Sequence, residues 1–216
     1  MNKLLKDKTQ IIAWLNKYRI ANYTLIKDAK YGYVVDVQGD VNLSNKKLTQ
    51  LPIQFGKVSG YFDCCYNQLT SLEGGPTSVG GIFSCHNNKL TNLEGGPTSV
   101  GESFYCAYNQ LTSLEGGPAS VCGDFYCHDN QLTSLEGSLS SVGKGFYCQH
   151  NQLTSLEGGP TTVGGGFYCN HNKDLGKYQK MIDFNVIKEK LLSDKEKKAL
   201  SESLTDSRLK VSMLKI

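Results

Sequence analysis

Leu111-Thr-Ser-Leu-Glu-Gly-Gly-Pro-Ala-Ser-Val-Cys-Gly-Asp-Phe-Tyr-Cys-His-Asp-Asn-Gln131 is one full phrase of a repeat with a period of 21 residues. Outward from it, the first leucine recurs at Leu48, Leu69, Leu90, Leu132 and Leu153, and the second at Leu51, Leu72, Leu93, Leu135 and Leu156. Val58, Val79, Val100, Val142 and Val163 match Val121, and Phe62, Phe83, Phe104, Phe146 and Phe167 match Phe125. The cysteine column runs Cys64, Cys85, Cys106, Cys127, Cys148, Cys169, and the asparagine column Asn67, Asn88, Asn109, Asn130, Asn151, Asn172. Columns held in register at this spacing predict a solenoid, in which each coil contacts only its neighbours and equivalent residues stack into ladders.

Within the phrase, Phe and Cys stand two apart, so a strand sends both to one face and the residue between them to the other. Phe, Cys, Val and both leucines then form internal ladders at the strand spacing of about 4.8 Å. The asparagines are expected to bond backbone groups at the turn after the strand and to join one another along the axis. Glu-Gly-Gly-Pro and Val-Gly-Gly mark tight backbone. The expected architecture is mainly β, a thin solenoid of about seven coils over residues 41–175. Residues 1–40 read as an N-terminal α/β cap: a helix within 1–20, capped by Thr9, then a hairpin of Tyr23–Ile26 and Tyr33–Val37. Residues 176–216 read as a helical C-terminal cap, with helices over Met181–Leu192 and Lys195–Leu204. Those helices are also a possible homodimer surface, which makes a self-assembling structural protein the alternative to a binding protein.

The phrase also carries Leu-x-x-Leu and an Asn two residues before a Leu, the mark of a leucine-rich repeat. The unit Leu-Thr-Ser-Leu-Glu-Gly-Gly-Pro…Val-Gly-Gly…Phe-x-Cys-x-x-Asn resembles the short leucine-rich repeat proteins of bacteria and bacteriophages. The stretches from Asp40 to Thr49 and from Phe55 to Gly60 are similar to that family too, and the resemblance covers roughly residues 10–175. It is more distantly similar to the repeats of bacterial effectors, with Glu73-Gly-Gly-Pro standing where those have Leu-Pro. The resemblance implies recognition of a protein partner. For a phage-encoded chain it implies an inhibitor of a bacterial host or defence protein, working in the host cytoplasm.

The chain has 216 residues, a net charge of +3 and 39 % apolar residues. No stretch reaches the roughly 18–20 apolar residues of a membrane span. Ile11-Ile-Ala-Trp-Leu15 is too short for a signal-peptide core, so no membrane role or export is expected. Charge is segregated: residues 1–60 carry ten Lys/Arg and four Asp/Glu, residues 61–172 two and nine, and residues 173–216 eleven and seven. The repeats have only Lys89 and Lys144 as cations, which argues against nucleic acid, because phosphate affinity needs Lys and Arg. No Walker loop or Gly-x-Ser-x-Gly motif is present, and no catalytic residue, cofactor or metal site is expected.

The outward column between Phe and Cys reads Asp63, Ser84, Tyr105, Tyr126, Tyr147, Tyr168. Core packing does not explain tyrosines pointing away from the core; tyrosine is favoured at interfaces because it brings area at low entropy cost. The expected partner-binding residues are Tyr105, Tyr126, Tyr147 and Tyr168, with His128, His150, His171 and Asp124 at the edges. The column two residues earlier shrinks from Tyr61 to Asp124, Gly145 and Gly166, which predicts a recess beside Tyr147 and Tyr168 and a possible small-molecule sink there. Glu73, Glu94, Glu115, Glu136 and Glu157 form a ladder whose carboxylates are expected to accept loop amides. The ladder cysteines are expected to be small buried hydrophobes without disulfides, since their Cβ vectors run parallel. Strand alternation places Cys65 outside, as the expected reactive thiol.

Overall fold

The computed structural model describes residues 4–137, 139–173 and 175. Helix α1 (Lys8–Lys17) leads into a hairpin of β1 (Tyr23–Asp28) and β2 (Gly32–Val37), followed by β3 (Val41–Asn42), β4 (Gln54–Val58) and β5 (Phe62–Asp63). From there the chain alternates between two kinds of two-residue strand. One is Ser78–Val79, Ser99–Val100, Ser120–Val121, Ser141–Val142 and Thr162–Val163; the other is Phe83–Ser84, Phe104–Tyr105, Phe125–Tyr126, Phe146–Tyr147 and Phe167–Tyr168. The valine strands extend β1, β2 and β4 into an eight-stranded sheet, and the phenylalanine strands extend β3 and β5 into a seven-stranded one.

Register follows the repeat: Phe125 pairs with Phe104 and Phe146, and Val121 with Val100 and Val142, all in parallel. Among the described residues the one antiparallel pairing is the β1–β2 hairpin, whose β2 lies parallel to β4. The seven phenylalanine-side strands mark off about six turns, one fewer than the sequence count of coils. The helices expected over Met181–Leu192 and Lys195–Leu204 lie outside the described residues.

The core is one stripe. Phe62, Phe83, Phe104, Phe125, Phe146 and Phe167 are at most 1 % exposed, flanked by the cysteine, leucine and valine ladders. Their rings lie 5.0–5.8 Å apart, most of them stacked. At the N-terminal end α1 buries Ile11 and Leu15 in the same core, and Trp14 meets Phe55 edge-on at 6.2 Å. The helix is capped by Asp7 rather than Thr9. Asp7 is extended, and its Oδ1 accepts the Gln10 N–H at 3.0 Å, which satisfies one of the donors a helix start leaves over.

The asparagine column staples coil to coil. Asn109 Nδ2 donates to the carbonyls of Cys85, Cys106 and Ala107 at 3.1–3.3 Å, and its Oδ1 accepts the Leu90 N–H at 3.0 Å. Each asparagine thus ties its own turn to the preceding one through the backbone; the links along the axis run through main chain rather than from Asn to Asn. At the opposite corner, Gly95 has φ +82°, and a Cβ there would stand 2.7 Å from the Glu73 nitrogen, so neither the conformation nor the space admits a side chain.

Candidate recognition face

The phenylalanine-side sheet presents its outward column to solvent. Tyr105, Tyr126, Tyr147 and Tyr168 form a continuous stack, with ring centroids 4.6, 4.3 and 4.6 Å apart and planes within 8° of parallel. The strand spacing brings flat rings close to contact distance, so the column stacks at each step. Ring faces inside the stack are covered by their neighbours. What reaches solvent is a row of ring edges and hydroxyls. Burial, with the Asp124 carboxylate second, pushes the Tyr126 phenol well above its usual range.

The recess expected beside Gly145 and Gly166 is filled by these rings. A Cβ at Gly145 would lie 2.6 Å from Cε2 of Tyr147, and one at Gly166 2.7 Å from Cε2 of Tyr168. The two outward columns therefore compensate in size: Tyr61 and Ile82 stand beside Asp63 and Ser84, whereas the glycines stand beside tyrosines. An open cleft of about 560 Å³ lies along the other sheet, lined by Val121, Cys122, Val142, Gly143 and Val163 among others. Asp124 has one oxygen committed to the next coil, where Oδ1 accepts the Gly145 N–H at 2.9 Å.

Beside the stack the chain turns. Tyr66, Asn87, Tyr108, Asp129, His150 and His171 all have φ between 51° and 57°, the left-handed region. Asn, Asp and His tolerate it; for tyrosine it costs about 1–2 kcal/mol. Tyr66 and Tyr108 are nevertheless 58 % and 52 % exposed, so core burial does not offset that cost. Each meets a histidine of the next coil edge-to-face: Tyr66 with His86 at 5.1 Å and Tyr108 with His128 at 5.2 Å. His128 Nδ1 lies 2.7 Å from Asp129 Oδ2. His86 Nδ1 is 2.8 Å from Ser84 Oγ; burial lowers its pKa, and the Asp63 carboxylate pulls the other way. His150 and His171 stack on each other at 4.4 Å. The expected edge contacts thus divide into two groups, His128 with Tyr108 and Asp129, and His150 with His171.

Two expectations about the flanks change. Cys65 is 5 % exposed, and burial together with a hydrogen bond to Asp63 pushes its thiol up to about 12; the exposed cysteine is Cys122. All eight cysteines are free, and burial raises the thiols of Cys64, Cys85, Cys106, Cys127 and Cys148 well above their ordinary value. In the glutamate ladder the turn bonds the residue's own N–H: Glu73, Glu115, Glu136 and Glu157 donate to the hydroxyl of the serine two residues earlier, and Glu94 donates to Asn92 Oδ1. Among the described residues no three His, Cys, Asp or Glu side chains come together to hold a metal ion, and no helix is long and apolar enough to cross a membrane.

Comparisons with protein-family models, curated proteins and solved structures return no match. The class defined by the geometry is a short-repeat β-solenoid of 21-residue turns with an aromatic face.

Proposed function

We propose that this chain is a leucine-rich repeat protein of the short-repeat kind and that it is a non-catalytic recognition protein, binding another protein through its tyrosine face. The carrying observation is the aromatic surface itself: four stacked tyrosines, with Tyr66 and Tyr108 beside them more than half exposed, on positions that contribute nothing to the core. Rigid aromatic side chains lose little entropy on binding and dominate interface energies. The specific form of this reading, drawn from the family its repeat resembles, is a phage-encoded inhibitor of a bacterial host or defence protein.

The test is affinity capture from bacterial lysate. Wild type is compared with a variant carrying Tyr105→Ser, Tyr126→Ser, Tyr147→Ser and Tyr168→Ser and with a Tyr66→Ser/Tyr108→Ser variant, after circular dichroism verifies the fold of each. A protein held by wild type and lost by either variant supports the reading. Equal retention by all three moves the working surface elsewhere.

A further inference from the structure

We infer that the tyrosine face takes an arginine-bearing segment of its partner, running along the solenoid axis with guanidinium groups seated at Tyr66 and Tyr108. The inference rests on the recognition reading above and names the chemistry of the partner. Its first support is charge. The four outward columns of this face, from Tyr61 to His171, contain Asp63, Asp124 and Asp129 and not one Lys or Arg. These aromatic and acidic columns complement a basic segment; exposed Lys46 and Lys47 lie beyond them, in the turn of the preceding coil.

The second support is a constellation that occurs twice. Tyr66 packs on His86, whose Nδ1 lies 2.8 Å from the hydroxyl of Ser84, the cross-strand neighbour of Asp63, and Tyr108 packs on His128, which contacts Asp129. In both, an exposed tyrosine is braced from one side by an imidazole, with a carboxylate close by. Guanidinium is the cation that fits: it is planar, stacks on aromatic faces and bonds carboxylates in bidentate fashion, where an ammonium is a hydrated point charge. Inside the ladder of Tyr105 to Tyr168 the rings cover one another at 4.3–4.6 Å, which takes up both faces of Tyr126 and Tyr147 and one face of each end ring. Tyr66 and Tyr108 do offer ring faces, and they hold a backbone conformation unfavourable to tyrosine, as residues kept for function do.

The third support is spacing. The two tyrosines are two coils apart, roughly 10 Å at the strand spacing, a distance that about three residues of extended chain span. Two arginines so separated reach both seats while the backbone between them crosses the coil of Ser84 and Asn87, just ahead of the stack that begins at Tyr105.

A random 12-residue peptide display library, selected on the immobilised full chain and rescreened on Tyr66→Ser/Tyr108→Ser, Asp63→Asn/Asp129→Asn and Glu94→Gln/Glu115→Gln variants, tests this. The expected result is enrichment of peptides with at least two arginines, whose binding drops tenfold or more on the first two variants and by less than twofold on the third. Lysine replacement in those peptides should weaken binding severalfold. Peptides that need the tyrosines but carry no arginine would overturn the inference and leave the recognition reading intact. Peptides indifferent to the first two variants, or no enrichment at all, would overturn the inference; the recognition reading is then decided by the lysate capture with the Tyr105/Tyr126/Tyr147/Tyr168 variant. Arginine peptides lost only with the Glu94/Glu115 variant would place the site on the glutamate ladder and also overturn the inference.

Discussion

The ring of Tyr147 lies flat over Gly145: a Cβ on that glycine would stand 2.6 Å from Cε2 and 2.8 Å from the hydroxyl oxygen. The same ring is sandwiched between Tyr126 at 4.3 Å and Tyr168 at 4.6 Å, so it cannot move away without leaving the stack. Gly145→Ala should therefore weaken the tyrosine near-UV circular dichroism signal and lower stability by about 1–3 kcal/mol, the scale of overpacking. Gly143→Ala is the harsher neighbour, because its Cβ would meet the backbone carbonyl of Cys122, which no rotamer change can relieve. Thermal melts should rank wild type above Gly145→Ala and that above Gly143→Ala. An unchanged near-UV signal in Gly145→Ala would show that the ring is not held over the glycine.

Asn109 makes four bonds to backbone: the carbonyls of Cys85, Cys106 and Ala107 also accept from Asn88, Asn130 and the Asn87 N–H, whereas the buried Leu90 N–H relies on the Asn109 Oδ1. Asn109→Ala leaves the Leu90 N–H without its acceptor and removes three further bonds, and the expected cost is about 1–3 kcal/mol. Because a solenoid is stabilised coil against coil, the loss should also uncouple the two halves. Urea unfolding followed by far-UV circular dichroism should show a lower midpoint and a broader transition. A cost below about 0.5 kcal/mol would contradict the asparagine staple.

The solenoid was legible because its evidence is redundant: an error in one column, such as Lys46 in the asparagine slot, leaves the other columns in register. The tyrosine ladder was legible for the same reason, since alternation from Phe125 to Cys127 has no other solution. Alternation failed one residue later. The strand is Phe62–Asp63 and no longer, and by Tyr66 the backbone is left-handed, so Cys65 is carried inside rather than out. Six residues of four types share that left-handed column, and with no glycine among them the one signal in the sequence is the Asn, Asp and His at four of the six positions. The shrinking of Tyr61 to Gly166 was visible but was read as a recess, because a sequence does not show which way a tyrosine ring folds.

Cys122, not Cys65, should be the thiol that reacts in the folded protein. Cys122 is the exposed one of the eight, while Cys65 is buried with its thiol pushed up to about 12, which leaves almost no thiolate at neutral pH. Titration with a chromogenic disulfide reagent at pH 7.5 should give one fast thiol per native chain and all eight after unfolding. Cys122→Ser should abolish the fast phase and Cys65→Ser should leave it unchanged. The reverse pattern would mean that the turn at Tyr66 opens in solution.

The cysteine ladder makes the fold sensitive to alkali. Burial raises the folded-state thiols of Cys64, Cys85, Cys106, Cys127 and Cys148 well above their unfolded value, which is about 8.5. A raised folded pKa means that the folded state holds the proton more tightly, so this stabilisation is complete below about pH 8.5 and is lost as pH climbs toward the folded value. For Cys169, raised to about 11, the loss is complete near there; for the fully buried thiols it continues beyond. The Tyr126 and Tyr147 phenols, also raised by burial, add to the loss above about pH 10. Each fully buried thiol can contribute up to about 1.4 kcal/mol per pH unit, a steep dependence when five act together. Stability measured by urea unfolding should be flat from about pH 7 to 8 and fall from about pH 8.5 upward. Cys106→Ala should lower the plateau, because it opens space in the core, and should make the alkaline slope shallower. If the slope of Cys106→Ala between pH 9 and 10 matched that of wild type, the ladder thiols would not be the groups responsible.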